Sequence, residues 1–183
     1  MKKTFLELVN YLKNPISEED ENRNFLYRVK KFGYILLICL LTGVVISPVF
    51  SIIEAFGWIN MEDHAIEDMM EQLSKTQIFL FVVIVAPLFE ELIFRAPLTL
   101  LKNLKSFKTG FYTFAIIFGL IHIFNFNMTL NVILLTPILV APQIILGGYL
   151  GFIRVRFGLI WSIGLHACYN GVLMAITFAP DLF

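Results

Sequence analysis

Apolar residues run along this chain in five long stretches that carry almost no charge, at about 33–53, 76–101, 109–124, 129–153 and 157–178. A hydrocarbon core about 30 Å thick is crossed by roughly 20 apolar residues in helix, so each stretch predicts a spanning helix. Together they predict an all-α polytopic transmembrane bundle of about five spans, the third being the shortest. The first is too long and too far from the N-terminus for a cleaved signal peptide, and no Ala-x-Ala site follows it. Two segments are amphipathic instead. After a break at Asn14-Pro15 and an acidic run from Glu18 to Glu21, Phe25, Leu26, Val29 and Phe32 recur at helical spacing among Arg23, Arg28, Lys30 and Lys31. Ile66, Met69, Met70 and Leu73 repeat the pattern with acids on the other face. Both read as surface-lying connectors, which divides the chain into an N-terminal segment, 1–31, with an interfacial helix, and a bundle, 32–183.

Composition agrees with that division. The 183 residues are 58% hydrophobic and 15% charged with zero net charge, where a soluble domain carries roughly 25% charged residues. Neutrality removes the electrostatic case for a nucleic-acid partner. The apolar content excludes a disordered chain, and two cysteines are too few for a disulfide scaffold. In the fourth span Pro137 and Pro142 predict a kink, and Gly147, Gly148 and Gly151, which include a Gly-x-x-x-Gly pair, predict close helix packing.

Charge placement then orients the bundle. Arg28, Lys30 and Lys31 precede span one, Lys102, Lys105 and Lys108 join spans two and three, and Arg154 and Arg156 join spans four and five. Five spans put all three clusters on one side, which the positive-inside rule makes cytoplasmic. The expectation is an integral protein of the plasma membrane with its N-terminus inside, its C-terminus outside, and the 54–75 loop, six acids against Lys75, external.

Only Glu90, Glu91 and Arg95 lie inside a span, the second. A charge at the centre of a spanning helix costs at least about 2.5–3.5 kcal/mol, so these three need partners and a purpose. Glu91 and Arg95 are i and i+4 and can pair along one face. Glu90, turned about 100° away, faces something else. His122 lies in span three and His166 in span five, with Asn170 one turn beyond; His64, in the external loop, has no assigned role. At 1.5 Å per residue from the basic ends at Leu101, Thr109 and Phe157, Glu90 lies about 16 Å deep, His122 about 20 Å, His166 about 14 Å and Asn170 about 20 Å. One carboxylate, two imidazoles and a carboxamide in one low-dielectric layer make a water-activating site, acting directly or through a metal. Peptide-bond hydrolysis uses all of these parts.

Glu90-Glu91-Leu92-Ile93-Phe94-Arg95, then Phe118-Gly119-Leu120-Ile121-His122, then His166-Ala167-Cys168-Tyr169-Asn170 resemble the three ordered motifs of the CAAX protease and bacteriocin-processing (CPBP, or Abi) family of intramembrane endopeptidases. The resemblance covers about 76–175. It implies that Glu90 is the general base, that Glu91 and Arg95 are a structural pair, that His122 positions or activates the water, and that His166 with Asn170 stabilises the oxyanion. Phe118, one turn before His122, reads as packing. The family is often described as metalloproteases, so a divalent ion such as zinc on Glu90, His122 and His166 stands beside a metal-free glutamate-type mechanism; no His-Glu-x-x-His is present. The partners implied are the lipid bilayer and a peptide or protein substrate, either the C-terminus of a prenylated protein or a secreted peptide in maturation or bacteriocin self-immunity.

Other readings weigh less. No Gly-x-Gly-Asp marks an aspartyl protease, and Ser162 before His166 lacks a rhomboid's glycine-flanked serine. Cys39 and Cys168 read as inert, buried residues. A proton-linked transporter also places Glu and His in spans, but its inverted repeat is missing. A non-catalytic peptide-binding immunity protein is the third reading.

Overall fold

The computed structural model describes residues 1–60, 72–101 and 103–179. His64, Ile66, Met69, Met70, Lys102 and Asp181 lie outside those residues. Helix α1 is Lys2–Lys13 and α2 is Phe25–Ala55. The second span comprises α3 (Lys75–Leu80), a π-turn (Phe81–Val85), α4 (Ala86–Phe94) and a 3-10 turn (Ala96–Leu100). The third is α5 (Leu104–Ile121) with a 3-10 turn, His122–Asn125. The fourth is α6 (Leu130–Leu139) plus α7 (Ala141–Phe157), and the fifth is α8 (Leu159–Phe178). No β-strand occurs among the described residues, and five helical segments are long and apolar enough to cross a membrane.

Local chemistry sets the boundaries. Ser74 and Gln77 form a capping box on α3, Asn103 caps α5 and Thr129 caps α6, each satisfying an amide the first turn leaves open. The link between α7 and α8 is Gly158 alone, at φ +106°, a conformation that glycine alone adopts freely. Pro142, within the first turn of α7, lacks the N–H that would carry the helix through from α6, and the predicted kink falls there.

The Gly-x-x-x-Gly pair packs α7 against α5: a Cβ on Gly147 would stand 3.3 Å from Ala115, and one on Gly151 would stand 2.7 Å from Phe111. Gly148 turns to the other side, where Leu12 of α1 would lie 2.9 Å from a Cβ.

The N-terminal segment differs from its sequence pattern. The surface helix expected over 25–32 is the first two turns of α2 itself. Helix α1, which the pattern did not predict, packs on the bundle with Leu8 and Tyr11 buried and the Tyr112 hydroxyl donating to the Leu12 carbonyl. Lys31, placed by the pattern on a solvated face, is only 4% exposed and donates to Glu7 at 2.7 Å and Asp20 at 2.9 Å. Burial works to raise the Asp20 pKa, but hydrogen bonds from Lys31, the Asn22 backbone N–H and the Tyr27 hydroxyl, with the Lys31 charge, outweigh it and hold the carboxyl below its ordinary value. Arg156 lies 3.7 Å from the same carboxylate. Helix α5 starts five residues before the predicted 109, so Lys105 and Lys108 sit on its first turns rather than in a loop. Cys39 is buried as expected, whereas Cys168 is exposed on α8.

Candidate active site

Adjacent carboxylates on α4 are sent to different surroundings. Glu91 is fully buried, with Oε1 3.7 Å from Arg95 Nε, which is the predicted i, i+4 pair. Arg95 is 1% exposed, its side-chain nitrogens make no hydrogen bond among the described residues, and its guanidinium lies 4.0 Å over the Phe118 ring. Charge and ring quadrupole therefore hold it in place of hydrogen bonds.

The same Glu91 oxygen is 3.1 Å from His166 Nδ1. A carboxylate accepts, so Nδ1–H donates and Nε2 is turned toward Glu90, whose Oε2 is 3.6 Å away. Spacing alone gave Glu91 a single partner; the fold makes it also the group that orients His166.

His122 is fixed in a similar way, its Nδ1–H donating to the Phe118 carbonyl at 2.6 Å. Phe118 is fully buried, its ring centroid 4.7 Å from that of His122 and 5.7 Å from that of His166. It is a packing residue, as read, and one that seats both imidazoles and the arginine.

Asn170 donates Nδ2–H to the Val82 carbonyl at 2.9 Å. In the π-turn the Ala86 N–H bonds back to Phe81, five residues earlier, so the next donor in that register would serve Val82. That residue is Pro87, which has no N–H. Asn170 supplies the missing donor, and one of its two amide hydrogens is thereby committed to backbone.

Glu90, His122, His166 and Asn170 line one cavity of about 630 Å³ between spans two to five. The four residues that the depth count put in one layer thus line one cavity, although α5 begins lower than Thr109. Gln143 also lines the cavity, and its buried Oε1 has no hydrogen-bond partner among the described residues. The sequence reading missed it; a lone amide just after Pro142 in an apolar span was the available signal. Ser162 is buried with its hydroxyl donating to the Leu159 carbonyl. Among the described residues no three His, Cys, Asp or Glu side chains are grouped so as to hold a metal ion.

A family model, the type II CAAX prenyl endopeptidase Rce1-like family, matches residues 72–172, more than half of the chain. The chain belongs to that family. The match begins just before α3 and ends two residues past Asn170, so it contains all three motifs. No curated protein and no solved structure matches. As an Rce1-like member, the chain is an intramembrane endopeptidase of the CAAX type and an integral membrane protein.

Proposed function

We propose that the protein cleaves a peptide bond of a membrane-associated polypeptide with water activated by Glu90, with no step routed through a metal. The observation that carries this reading is the division between the two carboxylates: Glu91 is sealed against Arg95 and His166, while the Glu90 side chain, 24% exposed, opens into the cavity. Glu90 Oε2 and His166 Nε2 are close enough that one water oxygen on the cavity side reaches both. Glu90 takes a proton from that water, and the hydroxide adds to the substrate carbonyl carbon. The proton, held between Glu90 and His166, passes to the leaving amine as the carbon–nitrogen bond breaks. His122, pinned through Nδ1, orients the water through Nε2. The second Nδ2–H of Asn170 is available to the oxyanion. The unpaired Gln143 oxygen accepts a backbone N–H of the bound segment.

The test is a purified protein incubated with a mixed-sequence peptide set and read by mass spectrometry. Glu90→Gln preserves shape but cannot accept the proton, so turnover should fall about 10²-fold or more. Equal product from both proteins would remove Glu90 from the chemistry. Product from neither would leave a carrier or a non-catalytic peptide binder in its place.

A further inference from the structure

We infer that Arg154, which lies outside all three motifs, is a positioning residue for hydrolysis: it staples the turn that follows α4, where Arg95 stands, and so keeps Glu91 and His166 aligned with Glu90. The inference rests on the reading that Glu90 and His166 carry the chemistry, and adds the residue that holds them in place.

Arg95 stands where the backbone of the second span changes character. Helix α4 ends at Phe94, and Arg95 is its C-cap, at φ −114° and ψ −33°. Its N–H still bonds to the Glu91 carbonyl at 2.9 Å. Beyond it the chain tightens into the 3-10 turn Ala96–Leu100, and Pro97, second in that turn, has no N–H to offer the Ile93 carbonyl. The last carbonyls of a helix lose their intrahelical donors, so this end is held only by what the turn and its neighbours supply. A rotation of the backbone here carries the Arg95 side chain with it. That side chain has no hydrogen bond of its own among the described residues to correct its aim; Glu91 at 3.7 Å and the Phe118 ring at 4.0 Å attract its charge without fixing its direction as a hydrogen bond would.

Arg154 supplies the missing restraint from α7. Its Nε donates to the Arg95 carbonyl at 3.2 Å, and its Nη2 donates to Thr99 Oγ1 at 3.0 Å. The two acceptors bracket the 3-10 turn, one just before it and one at its fourth residue. Inside the turn the Leu98 N–H also reaches the Arg95 carbonyl, at 3.2 Å, and the Thr99 hydroxyl donates to the Ala96 carbonyl at 3.4 Å. A planar guanidinium spans both acceptors at once, which a lysine's point charge does not. The staple is itself firmly based, because the residues on either side of it, Ile153 and Val155, are buried.

From Arg95 the path to the reacting groups is short. Glu91 Oε1 is 3.7 Å from Arg95 Nε and 3.1 Å from His166 Nδ1, and His166 Nε2 is 3.6 Å from Glu90 Oε2. A displaced Arg95 therefore shifts the one oxygen that also orients the imidazole facing Glu90. A misplacement of about 1 Å among aligned groups costs as much as about 10²-fold in rate. Arg156, two residues further along α7, provides the contrast: it donates to the Glu18 carbonyl at 3.0 Å and lies 3.7 Å from the Asp20 carboxylate, serving the N-terminal segment.

The experiment compares Arg154→Met, Arg154→Lys, Thr99→Val and Arg156→Met in the full-length protein in detergent. Cleavage is measured on the fastest-cut member of a peptide set that includes prenylated CAAX sequences, with rates referred to the folded, monodisperse fraction. Arg154→Met should lower kcat roughly 10- to 100-fold with KM within about twofold. Arg154→Lys and Thr99→Val, each keeping part of the staple, should fall between it and the parent, and they carry the test if Arg154→Met does not fold. Arg156→Met should lower Tm while kcat stays within about twofold. A kcat unchanged by the Arg154 and Thr99 variants, or lowered equally by Arg156→Met, overturns the inference. A second readout does not depend on turnover. In protein labelled with nitrogen-15 at its three histidines, the Nδ1–H resonance absent from His166→Gln reports the hydrogen bond to Glu91. It should shift or broaden in Arg154→Met and Arg154→Lys and stay in place in Arg156→Met; a resonance unmoved by either Arg154 variant overturns the inference. Absence of any product, or equal product from the parent and Glu90→Gln, would sink the Glu90 chemistry instead, while the His166 resonance still decides the role of Arg154.

Discussion

Glu91→Gln should unfold this protein at a much lower temperature than Glu90→Gln, although the two substitutions are neighbours and chemically identical. Glu91 is fully buried and is the ion-pair partner of Arg95, whose side-chain nitrogens have no hydrogen bond among the described residues. Removing one member of a buried pair leaves the other charge uncompensated at a cost of about 3–5 kcal/mol. Two features place the value at the lower end. Glutamine keeps an oxygen for His166 Nδ1–H, and the Phe118 ring at 4.0 Å continues to hold the guanidinium. At roughly 2–4 °C per kcal/mol for a chain of this size, about 3 kcal/mol lowers Tm by roughly 6–12 °C. Glu90 strands no cation when neutralised and faces the cavity, so Glu90→Gln should stay within about 1 kcal/mol of the parent, in the ordinary range for sites away from such pairs. Thermal unfolding in detergent, followed by loss of the monodisperse peak, measures both. Glu91→Gln/Arg95→Met adds a control, since replacing both charges by groups of similar volume removes the stranded cation and should recover most of the loss. Equal Tm values for the two single variants, or a double variant as unstable as the sum of its parts, would refute the assignment of Arg95 to Glu91.

Asn170→Asp removes the side-chain donor to the Val82 carbonyl and should cost about 1–3 kcal/mol of stability, read by the same melt, in addition to any loss of turnover. Gln143→Leu should raise KM roughly tenfold with kcat within about twofold, the worth of one hydrogen bond to bound substrate; a fall in kcat at constant KM would move Gln143 from binding to chemistry. The Asp20 carboxyl is held below its ordinary value, so its contribution is fully present above the unfolded pKa and is lost as pH falls through the folded one. Melts taken through and below about pH 4 should show a drop that Asp20→Asn flattens.

What the sequence made legible follows from how far apart the deciding residues are. The spans were readable because lipid demands long apolar helices, and the Glu91–Arg95 pair because i, i+4 is a local relation. The depth match between Glu90, His122 and His166 needed only a constant rise per residue. Long-range partners were another matter. Lys31 reads as a solvated cation until Glu7 and Asp20 are brought to it by α1, and α1 is amphipathic without being long or strongly apolar. The second partner of Glu91 is 75 residues away on α8, and the donor to Val82 is 88 residues away. Gln143 is a single amide whose importance shows only when its oxygen is found in the cavity without a partner among the described residues.

Apart from the 3-10 turn at Ala96–Leu100, the irregular backbone within the described spans is gathered where the site is. The π-turn over 81–85, the break at Val140 before Pro142, and the 3-10 turn at His122–Asn125 all contribute residues to the cavity wall. A bilayer tolerates non-α backbone only where protein or a water-filled space satisfies its polar groups. Pro87 is the clearest case, because it both favours a departure from the α register and withholds the N–H that the π register would need at Val82. Without Asn170 the Val82 carbonyl would be an unmet acceptor beside the site; with it, the turn is fixed and α4 is held at the rotation that sends Glu90 to the cavity and Glu91 to Arg95. Asn170→Asp should therefore disturb more than an oxyanion contact. If the amide served only the transition state, the variant would lose turnover at an unchanged Tm, whereas a turn-fixing role predicts that Tm and the separation of the two carboxylates' roles are lost together. Under that second outcome Glu90→Gln should have less effect on turnover in the Asn170→Asp background than in the parent, since the carboxylate is no longer aimed. Full additivity of the two substitutions would return Asn170 to a purely catalytic assignment.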